Sequence, residues 1–144
     1  MYSDDHFMRK ALVEAYAAFE KDETPVGAVV VAGNNIIARA HNLVETLNDV
    51  TAHAEMQVIT AAANYIGGKY LNECTLFVTL EPCLMCAAAL YWAQIARIVY
   101  GAGDAKRGFS LNPTSPLHPK TKVTSGILEK ECSKLMSDFF KNKR

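Results

Sequence analysis

Two short stretches constrain this chain more than any other: Thr51-Ala52-His53-Ala54-Glu55 and, starting 27 residues after Glu55, Pro82-Cys83-Leu84-Met85-Cys86. Between them they offer His53, Cys83 and Cys86, three side chains of the kinds that zinc takes. A zinc ion that does chemistry keeps three protein ligands and leaves its fourth tetrahedral position to water, whereas structural zinc fills all four with Cys or His. Cys83 and Cys86 stand three apart, a spacing that on a helix separates Cβ atoms by roughly 5–6 Å and lets both sulfurs lie about 2.3 Å from one ion. Pro82 suits the first helical position because it has no N–H to leave unpaired. The spacing thus predicts two thiolates in the first turn of a helix, where the dipole favours them. His53 and Glu55, two apart, do not share a face within a helix. They can share a pocket only at a helix end, for which Thr51 is the expected N-cap.

Glu55 turns a metal site into an enzyme. Zinc lowers the pKa of the water it binds to about 7, and a neighbouring carboxylate can take that proton and pass it to the group under attack. The spacing H-x-E…P-C-x-x-C is the signature of zinc nucleobase deaminases, and from it Glu55 takes the role of general acid and base rather than ligand.

The resemblance extends nearly end to end. Pro25-Val26-Gly27-Ala28-Val29, Asp49 to Glu55, Val78-Thr79-Leu80-Glu81-Pro82-Cys83, Gly101-Ala102, Asp104-Ala105-Lys106 and Ser137-Asp138-Phe139-Phe140 are similar to the bacterial tRNA adenosine deaminases. That family is cytidine-deaminase-like and converts adenosine to inosine at the first anticodon position. Gly103 departs from the pattern, which has Arg before the Asp. The zinc motif alone gives only the superfamily; Asp104-Ala105-Lys106 and the Phe139-Phe140 tail resemble the tRNA branch.

The resemblance implies a three-layer α/β/α sandwich with a mixed sheet of about five strands, one zinc per subunit, and a homodimer whose subunits both help bind a tRNA anticodon stem-loop. It implies that Val26 and Asn42 hold base and sugar, that the Ala54 backbone N–H contacts the base, and that Asp104, Lys106, Phe140 and Lys143 contact RNA. The chemistry implied is hydrolytic attack at C6 of adenine, with Glu55 moving protons to the ring nitrogen and then to the departing ammonia. Asn42 also has a simpler reading as an Asx turn. The tail from Phe139 to Arg144 alternates aromatic and basic residues as a base-stacking, phosphate-contacting surface would; its other reading is two core phenylalanines and a frayed end.

Formal net charge is zero over 144 residues, but its distribution is uneven. Residues 1–100 hold 6 Lys+Arg against 11 Asp+Glu, a balance of −5, while residues 101–144 hold 9 against 4, a balance of +5. The second part is the candidate face for a polyanion, or else a solvated helix surface. The length suits one domain, residues 1–144. No uncharged apolar run approaches the roughly 20 residues of a membrane span, and Met1-Tyr2-Ser3-Asp4-Asp5-His6 carries acid where a secretory signal carries base. A cytoplasmic location is expected. Cys74 and Cys132 show no disulfide-like spacing and read as reduced thiols. Gly-rich phosphate loops are absent, so no nucleotide cofactor is expected.

Taken in order, the pattern predicts a helix from about Asp4 to Lys21, a hairpin of Ala28 to Ala32 and Ile36 to Ala40, and a helix from Thr51 to Ile66 stopped by Gly67-Gly68. A buried strand from Thr75 to Leu80 feeds the helix after Pro82. A parallel strand follows from Arg97 to Gly101. The proline-bearing stretch from Ala102 to Lys122 reads as a loop, functional or mobile, and Ile127 to Phe140 as the last helix. Six residues of strand at roughly 3.3 Å each put Cys74 about 20 Å from Leu80, too far for a fourth ligand. Cys132 reads as a small buried hydrophobe.

Two rival readings use the same residues. A deaminase of free guanine, cytosine or adenosine, as base or nucleoside, would keep the zinc chemistry behind a different pocket wall, which Tyr91-Trp92 would suit. A structural zinc module serving an interaction would make Glu55 incidental, and the count of three ligands argues against it.

Overall fold

A computed structural model describes residues 1–143; Arg144, the end of the basic tail, lies outside the described residues. The chain runs α1 (Asp4–Glu20), β1 (Gly27–Ala32), β2 (Asn35–His41), α2 (Val44–Leu47), α3 (Ala54–Ile66), β3 (Cys74–Leu80), α4 (Leu84–Ala93), β4 (Arg97–Ala102), β5 (Lys122–Thr124) and α5 (Glu129–Lys141), with a 3-10 turn at Phe109–Leu111. The strands form one mixed sheet in the order β2-β1-β3-β4-β5. β1 is antiparallel to both neighbours, and β3, β4 and β5 are parallel.

Side chains alternate across a strand, so β1 is apolar on both faces because both faces are covered. Ala28 and Val30 face one side with Leu76, Val78 and Ile98, under α3 and α4. Val29 and Val31 face the other with Phe77 and Val99, under α1 and α5. This is the expected three-layer sandwich. α1 starts under an N-cap, Ser3, whose hydroxyl accepts from the His6 N–H at 3.2 Å. α3 ends where Gly67 takes the left-handed conformation at φ 72°.

Register explains why one end of the sheet holds a site. Gly27 pairs with His41, Ala28 with Val78, and Leu80 with Ala102. The start of β1 and the ends of β2, β3 and β4 therefore converge. In open α/β sheets ligands bind beyond the carboxyl ends of the parallel strands, and α3 and α4 both begin at this end.

The predicted elements differ from the observed ones at their edges. α3 begins at Ala54 with His53 as N-cap, not Thr51, because Thr51 donates both its backbone N–H and its hydroxyl to the Asp49 carboxylate, each at 2.8 Å. α4 begins at Leu84 with Cys83 as N-cap, so Pro82 lies one residue before the cap rather than at the first helical position. Within the expected Ala102–Lys122 loop is the 3-10 turn, and β5 starts at its end, adding a fifth, edge strand.

Gly27 lets α1 lie directly on the sheet. A Cβ there would run into the Ala11 carbonyl oxygen and the Ala15 nitrogen, backbone atoms that cannot swing aside. Gly27→Ala should cost at least the ~1–3 kcal/mol typical of overpacking. In urea that appears as a lower midpoint at unchanged slope; an unaltered midpoint would mean that α1 does not lie this close.

Candidate active site

His53 and Cys83, as the N-caps of α3 and α4, are in extended backbone, which frees their side chains to turn toward each other at the sheet end. The Nδ1 atom of His53 lies 3.7 Å from Cys83 Sγ and 3.5 Å from Cys86 Sγ. All three ligand atoms fall within 4.8 Å of one another. Tetrahedral zinc with bonds of about 2.0–2.1 Å to nitrogen and 2.3 Å to sulfur separates such atoms by roughly 3.6 Å. The cluster therefore fits a metal ion of that kind. Cys86, in the first turn of α4, is fully buried, while Cys83 and His53 are partly open to the cleft.

The protonation of these groups reflects their crowding. A hydrogen bond from the Cys86 thiol, joined by His53, pulls the Cys83 thiol down to about 4 against its burial. Cys86 is held up by that same hydrogen bond and by burial, and His53 is raised chiefly by its bond to Cys83. Two thiols and an imidazole thus compete for protons in one small space. That is the electrostatic setting in which a cation replaces protons.

Glu55 sits in the first turn of α3, two residues past His53 and only 4% exposed. Burial pushes its carboxyl up to about 7; its own backbone N–H and His53 act against that rise, and Cys83 adds to it. A group with such a pKa can both accept and release a proton near neutrality.

His53 and Cys83 of the cluster line a cleft of about 760 Å3, within the 300–1,000 Å3 range of ligand sites. Val26, Asn42 and Ala54 line it beside His53, Glu55 and Cys83, while Phe140 and Lys143 form part of its rim. Cys86 lies buried behind His53 and Cys83, and of the residues singled out in the sequence two more stand apart from the cleft. Asp104 and Lys106 are not among the lining residues. The Asp104 carboxylate accepts from the backbone N–H groups of Lys106 and Arg107, at 3.0 and 3.1 Å, so it closes its own turn. Lys106 is exposed on that turn. The tail divides between its two readings: Phe139 is buried, edge-on to Phe19 at 5.8 Å, while Phe140 is 52% exposed. Lys143 pairs with Asp22.

Sequence reasoning missed two buried carboxylates. Glu81 accepts from the Asp104 N–H at 3.0 Å and the Ser110 N–H at 2.9 Å, tying the 103–110 loop behind Cys83. Gly108 packs so closely on it that a Cβ would strike the carboxylate. Its signal was a charge placed between a buried strand and a metal-ligand motif. Glu23 accepts from the Asn42 side-chain amide at 3.3 Å and from Glu45 and Thr46. Burial would raise its carboxyl, but the bonds from Thr46 and Glu45, with His41 nearby, outweigh that and hold it below the usual range.

Comparison with known proteins agrees with this geometry. The MafB19-like deaminase family matches residues 2–144. A tRNA-specific adenosine deaminase of Agrobacterium fabrum is 47% identical over 146 residues, covering 96% of this chain and 95% of the relative. One from Bacillus subtilis is 44% identical, covering 100% and 92%. A solved structure from work on A-to-I editing by tRNA deaminases at the wobble position of transfer RNA superposes with a TM-score of 0.83 at 47% identity, covering 90% of this chain and 98% of that one. This chain belongs to the MafB19-like deaminase family, among the tRNA-specific adenosine deaminases.

Proposed function

We propose that this chain, acting as one domain, hydrolyses adenosine to inosine at the first anticodon position of tRNA, with one zinc held by His53, Cys83 and Cys86. The observation that carries the reading is a three-ligand cluster and a buried Glu55 together beside a cleft rimmed by Phe140 and Lys143. When bound, the zinc would supply a water acidified to near neutrality as the nucleophile for C6 of the base. Glu55 would take one proton of that water and pass it to the ring nitrogen, then take the second from the hydroxyl now on C6 and deliver it to the departing amine, so that water and adenosine become inosine and ammonia. Asn42 and Val26 hold the sugar and base, and the Ala54 backbone N–H, at the start of α3, contacts the base. Phe140 offers a face on which an unpaired base can stack, and Lys143 exchanges Asp22 for a phosphate.

A cleft of this volume has room for more than one base, which favours a splayed nucleotide with its neighbours over a free base. The reading includes a homodimer: α4 leaves Leu84, Met85, Tyr91 and Trp92 exposed on the metal-bearing helix, with Trp92 75% exposed, a patch of the kind that marks an interface. It also places the enzyme in the cytoplasm; among the described residues no helix is long and apolar enough to cross a membrane.

Two anticodon stem-loops, one with adenosine at the first anticodon position and one with it moved a single nucleotide away, test the positional claim. Inosine should form in the first and not measurably in the second. Equal conversion of both would contradict recognition of that position.

A further inference from the structure

We propose that Glu23 is a positioning residue for substrate: its buried carboxylate fixes the Asn42 amide and the α2 wall of the cleft in the arrangement that receives the nucleotide. The inference rests on Asn42 being a substrate ligand, as in the reading above.

Glu23 has no exposed surface, and among the described residues no cation pairs with it. Burying a carboxylate without a counter-ion is unfavourable unless hydrogen bonds satisfy it. Here four donors do so. Oε1 accepts from Asn42 Nδ2 at 3.3 Å and the Glu45 N–H at 3.1 Å. Oε2 accepts from the Thr46 N–H and the Thr46 hydroxyl, each at 2.6 Å.

Each bond constrains something that faces the cleft. α2 is four residues long, and its N-cap, Leu43, has no side chain able to cap it. Glu23 supplies that cap from a distant point of the chain, and Val44 and Glu45 line the cleft as a result. An ionised carboxylate only accepts, so the Asn42 amide must turn its NH2 toward Glu23. The Asn42 carbonyl oxygen is thereby directed away from Glu23, as an acceptor for a substrate hydroxyl or N–H. The Asn42 backbone N–H is itself held by the Val26 carbonyl at 3.0 Å. Val26, the other residue named as holding substrate, is thus joined to the same unit through its backbone.

A double-mutant cycle with Asn42 separates positioning from mere support of the fold. Stem-loop deamination is measured for Glu23→Gln, Asn42→Ala and the pair, with zinc content determined for each. In Glu23→Gln the new NH2 faces at least one former donor. KM should rise about tenfold or more, with kcat within roughly threefold and zinc unchanged. In the Asn42→Ala background the same change should add less than about twofold. Losses that simply multiply, or a loss in kcat without one in KM, would overturn the proposal. If Asn42→Ala alone leaves KM unaltered, it is the assignment of Asn42 that fails, and the positioning role falls with it. Should Glu23→Gln not fold, Thr46→Val, which removes the hydroxyl donor alone, takes its place in the cycle. Non-multiplying losses then support the proposal and multiplying ones overturn it.

Discussion

Glu55→Ala should yield a folded, zinc-loaded protein whose turnover is lower by at least the roughly 10²–10⁴-fold that a single positioned proton transfer contributes. The loss should sit at or beyond the upper end, because one carboxylate serves both the attacking water and the leaving amine. Fold and metal should survive for a structural reason. Glu55 is buried at the start of α3 without being one of the three ligands, and among the described residues no ion pair includes it, so truncation breaks none. Single-turnover inosine formation, zinc content and a thermal melt on one preparation check all three points. Turnover within about tenfold of the parent would remove Glu55 from the proton pathway.

Cys86→Ser should lose most of its zinc on dialysis, and turnover with it. Two protein ligands would remain, and the buried position of Cys86 leaves no other side chain of the His, Cys, Asp or Glu type in the cluster to replace it. The affinity loss should exceed the roughly 10–100-fold that follows from losing a hydrogen bond behind a ligand. Cys74→Ala is the matching control: Cys74 starts β3 and pairs with Ala32, at the opposite end of the sheet from the cluster. Its zinc content should be unchanged. Full metal content in Cys86→Ser would refute the ligand assignment.

The candidate site residues were legible because their types and spacing carry the information. His53, Cys83 and Cys86 had to meet for their number to make sense, and the two-residue offset of Glu55 from His53 required a helix end. The structure provides that end. The strands were legible from their β-branched runs. Helix starts were less so, since a capping residue is known only by what its side chain bonds: Thr51 has the right chemistry but is engaged by Asp49. β5 has three residues, too few for an alternation to show. It is placed by its register with β4 and by the Thr121 hydroxyl donating to the Ile95 carbonyl at 2.7 Å.

Glu23 and Glu81 were hidden for a related reason. Glu23 lies in Lys21-Asp22-Glu23-Thr24, which reads as a solvated turn, and its donors come from residues 42–46. Nothing local announces that it is buried. Asp104 and Lys106 show the converse. They were picked out by resemblance alone, and the structure gives Asp104 a sufficient local task in closing its own turn.

The central claim, that this zinc site acts on adenosine within an RNA loop and not on a free base, is tested most directly by ammonia release. An anticodon stem-loop with adenosine at its first position is assayed beside free adenosine, guanine and cytosine at equal concentration. The account predicts rapid release from the stem-loop and little from the others, because Phe140 and Lys143 at the rim have no task with a free base. Efficient turnover of guanine or another free base, with the stem-loop untouched, would contradict it and leave only the zinc deaminase core standing.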